Sequence, residues 1–221
     1  MQRVFEGASA RLVRVPSLED IRRRLKAHEP LRLAGVNQRR AAVAMVLRGP
    51  DADPELLFIK RAERDGDPWS GQMAFPGGRC EPEDSGDRQT AERETHEEVG
   101  LLLEDASCLG RLDDQEGRPT SPSGGLVISA HVYEVGDRPA PVLCPNEEVA
   151  EAFWFPVSGL LEGERHVGYE HPGVASMTFP GIVVGDSERH VVWGLTYRFL
   201  EIFLGNIGYP LPERWSDLDK L

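Results

Sequence analysis

Three glutamates, Glu94, Glu97 and Glu98, lie within one short segment of the chain. The segment runs from Gly77 to Leu101 and reads GGRCEPEDSGDRQTAERETHEEVGL. Residues three and four positions apart share one face of an α-helix, so a helix here would gather the three carboxylates into one patch. Like charges at these spacings destabilise an isolated helix, and the pattern therefore predicts a partner that neutralises them.

A divalent cation would be such a partner. Mg²⁺ and Mn²⁺ prefer carboxylate and carbonyl oxygens and usually bind together with the phosphate groups of a substrate. The turn FPGG, from Phe75 to Gly78, precedes the glutamates, and its glycines leave room for close approach to the backbone. The two features also have plainer interpretations, namely a solvated acidic helix face and a tight turn before a helix.

Taken together, the turn and the helix resemble the Nudix box, in which a glycine, a loop, an acidic residue and a helix follow in fixed order. The chain departs from the family pattern because its loop is one residue longer, its loop acid is Asp84 rather than Glu, and Thr95 stands where an apolar residue is usual. The matching positions are Gly78, Asp84, Arg93, Glu94, Glu97, Glu98, Gly100 and Leu101.

The Nudix resemblance implies a metal-dependent hydrolase. The implied ligands of Mg²⁺ or Mn²⁺ are Glu94, Glu97, Glu98 and the carbonyl of Gly78. A cation in such a site draws charge from phosphoryl oxygens and lowers the pKa of a water that attacks a diphosphate. The predicted general base is Glu97 or Glu98. Glu148 is the next candidate, although its segment also reads as a charged loop before a strand.

The segment upstream of the box, LLFIKRAERDGDPWSGQMAFPGG, resembles an additional motif of the coenzyme A pyrophosphatases within this superfamily. Asp67 falls near the place of the second arginine of that motif, and a carboxylate cannot donate a hydrogen bond to a phosphate. Arg61, Arg64 and Arg79 are the predicted contacts to the diphosphate, although each also reads as a solvated surface arginine. The matching residues are Leu56, Leu57, Arg61, Ala62, Gly71 and Phe75 to Gly78, and VVWGLT, from Val191 to Thr196, resembles a later segment of the same enzymes.

The second resemblance implies hydrolysis of coenzyme A or an acyl-CoA to adenosine 3',5'-bisphosphate (3',5'-ADP) and a 4'-phosphopantetheine product. The missing arginine favours an alternative substrate, such as ADP-ribose, NADH or another nucleoside diphosphate derivative. A Nudix domain that binds a nucleotide without cutting it ranks lower, because such domains usually lose box glutamates and this chain keeps all three.

The elements that position these residues follow from hydrophobic periodicity and turn signals. Ser17 is a capping residue for a predicted N-terminal helix, and two apolar runs joined by GPDADP predict a β-hairpin. The glutamate-bearing helix is predicted from Asp87 to Val99, with Gly100 as its end. The predicted helices span 17–28, 87–99 and 188–204, and the predicted strands span 41–47, 55–62, 73–75, 108–114, 126–135 and 151–157.

The expected fold is of the α/β class, and the Nudix resemblance specifies an α/β/α sandwich around a mixed sheet. The predicted organisation is an N-terminal helical extension at 1–32, a Nudix hydrolase domain at 33–205 and a C-terminal tail at 206–221. Trp193 is expected in the core, on an apolar face of the last helix. Trp69 reads either as a residue that stacks on a base or, more commonly for a lone Trp in a loop, as a packing anchor.

The composition narrows the class of partner. A net charge of −12, from 37 acidic and 25 basic residues, argues against binding to nucleic acid or to anionic membranes. Three widely spaced cysteines fit neither a disulfide framework nor a zinc site of paired thiolates, and they suit a reducing compartment. Apolar stretches typical of a signal peptide or a membrane span are missing. We therefore expect a cytoplasmic protein, a monomer or homodimer, that acts on a small-molecule diphosphate.

Overall fold

The computed structural model describes residues 15–33, 39–67, 69–103, 106–117, 125–136, 141–171, 177–187 and 189–211. The helices are α1 (Leu18–Ala27), α2 (Asp87–Val99), α3 (Val157–Leu160) and α4 (Gly194–Asn206). The strands are β1 (Arg39–Arg48), β2 (Glu55–Arg61), β3 (Met73–Ala74), β4 (Gly77–Arg79), β5 (Ser107–Arg111), β6 (Gln115–Gly117), β7 (Leu126–Glu134), β8 (Val149–Pro156), β9 (His166–Glu170), β10 (Thr178–Val183) and β11 (Val191–Trp193).

The larger sheet is mixed. Among the described residues it has eight strands in the order β3-β2-β1-β7-β5, and β4, β6 and β8 pair with β1, β7 and β2, respectively. β1 runs parallel to β7 and antiparallel to β2. The predicted hairpin is therefore confirmed, and its turn contains the Pro and Asp residues that favour such a reversal.

Helices cover both faces of this sheet. On one face, Ala91 and Val99 of α2 pack against Ala44 and Val46 of β1. On the other face, buried side chains of α1 and α4 share a core with the alternate residues of the same strands. Because both faces are covered, β1 reads as a continuous apolar run rather than an alternating one. The predicted α/β/α sandwich around a mixed sheet is confirmed.

The predicted last helix is wrong at its start. Val191–Trp193 is a strand, β11, which pairs with β10 in a smaller sheet that also contains β9. The helix begins only at Gly194, whose φ is +60°. β-branched and aromatic side chains favour an extended backbone, and this local preference outweighs the helical spacing. Trp193 is therefore half-buried on a strand, where it stacks on Tyr169 with ring centroids 5.0 Å apart, and the expected helical core position is wrong.

The first and last described helices, α1 and α4, pack into the same hydrophobic core. Ser17 caps α1 by accepting a hydrogen bond at Oγ from the N–H of Asp20, which confirms the predicted N-terminal helix. Ile21 of α1 and Ile207, just after α4, are both fully buried in one cluster. The boundaries at 32 and 205 stay predictions, and residues 1–14 and 212–221 lie outside the described ranges. No helix within the described ranges is long and apolar enough to cross a membrane.

Candidate active site

The glutamate-bearing helix α2 ends where the sequence predicts. Gly100 has a φ of +72° and its N–H donates to the carbonyl of His96, as a glycine that terminates a helix commonly does. Thr95, which replaces the apolar residue of the family pattern, is fully buried. Its hydroxyl donates to the carbonyl of Ala91 at 2.6 Å. The departure is tolerated because this internal hydrogen bond satisfies the buried hydroxyl.

The FPGG turn lies directly against α2. Gly77 and Gly78 pair with Val43 and Ala42 of β1, which fixes the turn to the centre of the sheet. A Cβ added at Gly77 would lie 2.3 Å from the carbonyl oxygen of Ala42. A Cβ added at Gly78 would lie 2.4 Å from a carboxylate oxygen of Glu94. At Gly77 the obstacle is the backbone of the central strand, so this position requires glycine. At Gly78 the obstacle is the carboxylate of Glu94, which lies directly against this residue.

Glu98 is the most deeply buried of the predicted site residues, with 2% of its surface exposed. Its Oε2 accepts a hydrogen bond of 2.9 Å from the N–H of Gly77. Burial raises the pKa of Glu98 to about 7; the nearby carboxylates of Glu94 and Glu148 add to this effect, while the Gly77 hydrogen bond and Arg61 oppose it. A buried carboxylate whose charge is disfavoured in this way is typical of a functional site.

Arg93 is the cation of the helix. Its Nη1 donates to Glu94 Oε1 at 2.9 Å and to Glu97 Oε2 at 3.0 Å. Its other nitrogens bind both oxygens of Asp84, each at 3.0 Å, and Asp84 also accepts from the N–H of Glu81. The loop acid Asp84 therefore binds both Arg93 and the backbone of its own loop. The expectation that the glutamates need an external partner is only partly right, because Arg93 neutralises two of them.

The three glutamates therefore differ in environment. The side chain of Glu97 is 51% exposed, whereas that of Glu94 is partly buried and its pKa is raised chiefly by burial. In the parts of the chain that the structure describes, no group of three or more His, Cys, Asp or Glu side chains is arranged to hold a metal ion. Arg93 forms ion pairs with Glu94 and Glu97, and Glu98 accepts a hydrogen bond from Gly77. A cation would compete with Arg93 for these oxygens.

The donor set nevertheless suits a hard cation. Carboxylates and a backbone carbonyl are the ligands that Mg²⁺ and Mn²⁺ prefer. The contact of Gly78 with Glu94 leaves no space for a side chain between them. Burial disfavours the negative charge of Glu98 and Glu94, and a divalent cation beside them would favour it. The assignment of Gly78, Glu94, Glu97 and Glu98 as ligands stays a prediction.

Glu148 is brought to this site from a distant part of the sequence. Its carbonyl accepts from the N–H of Ala62 at 2.8 Å, and its N–H donates to Asn146 Oδ1 at 2.8 Å. Asn146 in turn donates its N–H to the carbonyl of Glu98. These bonds hold Glu148 between the end of β2 and the end of α2. Its carboxylate is there close enough to Glu94 and Glu98 for its charge to raise the pKa of both.

The three predicted substrate arginines have different surroundings. Arg61 ends β2, where it donates through Nη2 to Asp67 Oδ2 at 3.0 Å. Arg64 donates through Nη1 to Glu148 Oε1 at 3.0 Å. Arg79 is exposed at the end of β4, and its carbonyl accepts a hydrogen bond from Arg93 Nη2. Arg61 and Arg64 are therefore brought to the acidic residues, and their contact with a substrate stays a prediction.

In the β2–β3 loop, the structure adds a partner for Asp67 and contradicts one expectation. Asp67, which falls near the place of the second motif arginine, forms an ion pair with Arg61. Trp69 is 43% exposed, so the expected packing anchor is wrong. The segment from Arg61 to Asp67 contains two arginines and three carboxylates. This composition is a signal for internal ion pairs, but it does not say which arginine is paired.

Several known proteins are similar to this chain. The family profile of the NUDIX domain matches residues 38–172. The mitochondrial coenzyme A diphosphatase NUDT8 of Homo sapiens is 34% identical over 168 residues, which cover 74% of this chain and 67% of that protein. The uncharacterized Nudix hydrolase NudL of Pectobacterium atrosepticum is 30% identical over 184 residues, 81% of this chain and 89% of that protein. A crystal structure of a MutT/nudix family protein from Enterococcus faecalis has a TM-score of 0.45 and 19% identity over 75% of this chain and 59% of that chain.

The NUDIX profile covers more than half of the chain and includes the FPGG turn and all three helix glutamates. Members of this family that hydrolyse diphosphates generally use divalent metal ions. The chain therefore belongs to the Nudix family and is a diphosphate hydrolase.

Proposed function

We propose that this hydrolase cleaves the diphosphate of coenzyme A or an acyl-CoA, giving 3',5'-ADP and a 4'-phosphopantetheine product. The main support is that the carboxylates of Glu94, Glu98 and Glu148 lie close together near the end of β2. Arg61, at the end of that strand, supplies a positive charge there. The choice of coenzyme A is supported by the upstream motif and by a relative named as a coenzyme A diphosphatase that is 34% identical.

The proposed metal ligands are Glu94, Glu97, Glu98 and the carbonyl of Gly78, with Mg²⁺ or Mn²⁺ as the ion. When bound, such an ion would polarise the phosphoryl oxygens and lower the pKa of a water molecule. The chain's own contribution is a rigid frame, because Gly78 is paired to the central strand and contacts Glu94. That frame would hold a diphosphate in one orientation for attack by water.

The proton acceptor is proposed among Glu97, Glu98 and Glu148. Burial raises the pKa of Glu98 to about 7 in the metal-free protein, and a bound cation beside it would lower that pKa and keep the carboxylate ionised, as a proton acceptor must be. Glu148 is fixed by its backbone and by Arg64, so it is oriented towards the site without being buried. Arg61, Arg64 and Arg79 would neutralise the negative charge of the diphosphate.

A second candidate is hydrolysis of ADP-ribose, NADH or a related nucleoside diphosphate derivative. The observation that favours it is the ion pair of Asp67 with Arg61. A carboxylate at this place reduces the positive charge available to a substrate that carries an additional phosphate, such as the 3'-phosphate of coenzyme A.

A substrate panel separates the two candidates. With Mg²⁺ or Mn²⁺ present, coenzyme A is expected to be hydrolysed with a kcat/KM at least about tenfold above that for ADP-ribose or NADH. Phosphorus NMR identifies the products, and a control without metal is expected to show no turnover. Brisk cleavage of ADP-ribose without cleavage of coenzyme A would contradict the first candidate, and nucleotide binding without any turnover would contradict both.

Location and assembly are separate proposals. The human relative is named as a mitochondrial protein, whereas the composition of this chain favours the cytoplasm. The monomer or homodimer expected from the sequence also stays a proposal.

A further inference from the structure

Asp67 lies at the centre of the loop that joins β2 to β3. Its Oδ2 accepts from Arg61 Nη2 at 3.0 Å, and its Oδ1 accepts from the N–H of Trp69 at 3.0 Å. Its backbone N–H donates to the carbonyl of Arg64, and its carbonyl accepts from the N–H of Ser70. One carboxylate therefore connects an arginine side chain to the fixed backbone of a compact turn.

A second carboxylate lies near Arg61 and could take the place of Asp67. The charge of Arg61 acts on the buried carboxylate of Glu98, and the next residue, Ala62, is hydrogen-bonded to the carbonyl of Glu148. The Nε of Arg61 is buried and has no hydrogen-bond partner among the described residues. A guanidinium with a spare donor would pair readily with any nearby carboxylate that it can reach.

Asp67 is a charged partner at neutral pH. Burial acts to raise its pKa, but the hydrogen bonds from the Trp69 N–H and from Arg61 outweigh burial and leave the pKa below its usual value. The side chain of Asp67 is mostly shielded from water, and that of Arg61 is about as shielded. Their ion pair is thus less screened by solvent than a pair on the open surface.

We propose that Asp67 is a positioning residue, which keeps Arg61 away from the glutamates of α2 and presents its guanidinium to the diphosphate of the substrate. The inference rests on the proposed function, since it assumes that the diphosphate binds between α2 and the β2–β3 loop. Asp67 would act through Arg61 alone and would not touch the substrate, because two anionic groups repel each other.

The test compares Asp67→Asn with the unsubstituted protein. Asn carries no charge and presents one oxygen where Asp67 uses two, so it cannot reproduce both the ion pair with Arg61 and the separate bond to the Trp69 N–H. Arg61 would then be drawn to Glu98. ADP in the presence of Mg²⁺ is the probe, and calorimetry is expected to show binding weakened about tenfold. The KM for coenzyme A is expected to rise by a similar factor, with a smaller change in kcat.

A double-mutant cycle distinguishes positioning from a general structural effect. In an Arg61→Gln background, Asp67→Asn is expected to cause no further loss of ADP binding, because its effect passes through Arg61. Asp20→Asn, which weakens the exposed Arg23–Asp20 pair of α1, is the matched control and is expected to leave ADP binding unchanged.

Three results with the variants would overturn the proposal. These are unchanged ADP binding by Asp67→Asn, additive losses in the Arg61→Gln background, and tighter ADP binding by Asp67→Arg, which would mean that position 67 contacts the phosphate itself. Absence of ADP binding by the unsubstituted protein would overturn it as well. If the unsubstituted protein binds ADP but cleaves neither coenzyme A nor ADP-ribose, the proposed function fails while the binding comparison still decides the role of Asp67.

Discussion

Glu98→Gln is expected to lower kcat/KM by about a thousandfold, the range seen when a positioned acid–base group is removed. Gln keeps the size of the side chain and an oxygen that can accept from the Gly77 N–H, a bond of 2.9 Å in the native protein. The variant therefore removes the negative charge while the fold around it is preserved. The measurement is steady-state hydrolysis of coenzyme A with saturating Mg²⁺ or Mn²⁺.

The same substitution is expected to stabilise the metal-free protein at high pH. The pKa of Glu98 is raised from 4.5 to about 7 in the folded state, so the folded protein holds this proton more tightly than the unfolded chain does. The stability that comes from this difference is fully present below pH 4.5 and is lost as the pH rises through 7. A shift of this size corresponds to about 3 kcal/mol. In EDTA, the unsubstituted protein should therefore lose about 3 kcal/mol relative to Glu98→Gln between acidic pH and pH 8.

Glu92→Gln on the same helix is the matched control. Glu92 accepts hydrogen bonds from Arg88 and from the hydroxyl of Tyr133, which a Gln oxygen can also accept, so activity should be retained. Full activity of Glu98→Gln would refute the role of that carboxylate. If the difference in unfolding free energy between the unsubstituted protein and Glu98→Gln did not change with pH, the burial of the Glu98 charge would be refuted.

Gly78→Ala is expected to lower kcat/KM by about a hundredfold, because displacement of a catalytic group by about 1 Å commonly has an effect of this size. The added Cβ would lie 2.4 Å from a carboxylate oxygen of Glu94, so the Glu94 side chain must move. This obstacle is the movable end of a side chain, and the free energy of unfolding should change little. Activity and chemical denaturation, measured on the same preparation, report the two effects separately.

Two other glycines serve as controls for this substitution. At Gly77 the added Cβ would lie 2.3 Å from the backbone oxygen of Ala42, which cannot yield without moving the central strand. Gly77→Ala should therefore lower the free energy of unfolding by about 3 kcal/mol. At Gly205 in α4 there is open space around the added Cβ, so Gly205→Ala should leave activity unchanged. Equal activity of Gly78→Ala and Gly205→Ala would contradict the role given to Gly78.

Local signals were sufficient to predict some elements in full. The bounds of α2, Asp87–Val99, follow from a helical composition that ends at a glycine able to adopt a left-handed backbone. The hairpin of β1 and β2 follows from two apolar runs with turn formers between them. In both cases, the information lies within about a dozen residues, so no distant contact is needed to decide the outcome.

Other features depended on contacts between distant residues. Helical spacing places Glu97 and Glu98 on one patch, but only the contact with β4 decides that Glu98 is buried while Glu97 is exposed. The pairing of Arg64 with Glu148 joins residues separated by 84 positions, and no local pattern indicates it. The smaller sheet was missed because its strands pair only with one another and β11 continues directly into α4.

The central claim is that the carboxylates beside the FPGG turn bind a divalent cation. A crystal soaked with Mn²⁺ tests it most directly, because the anomalous signal of manganese locates the ion independently of the protein atoms. We expect one Mn²⁺ bound by oxygens of Glu94, Glu97 and Glu98 and by the carbonyl of Gly78, with Arg93 displaced from Glu94 and Glu97. An anomalous map without a peak at this place, with Arg93 still paired to Glu94 and Glu97, would contradict it.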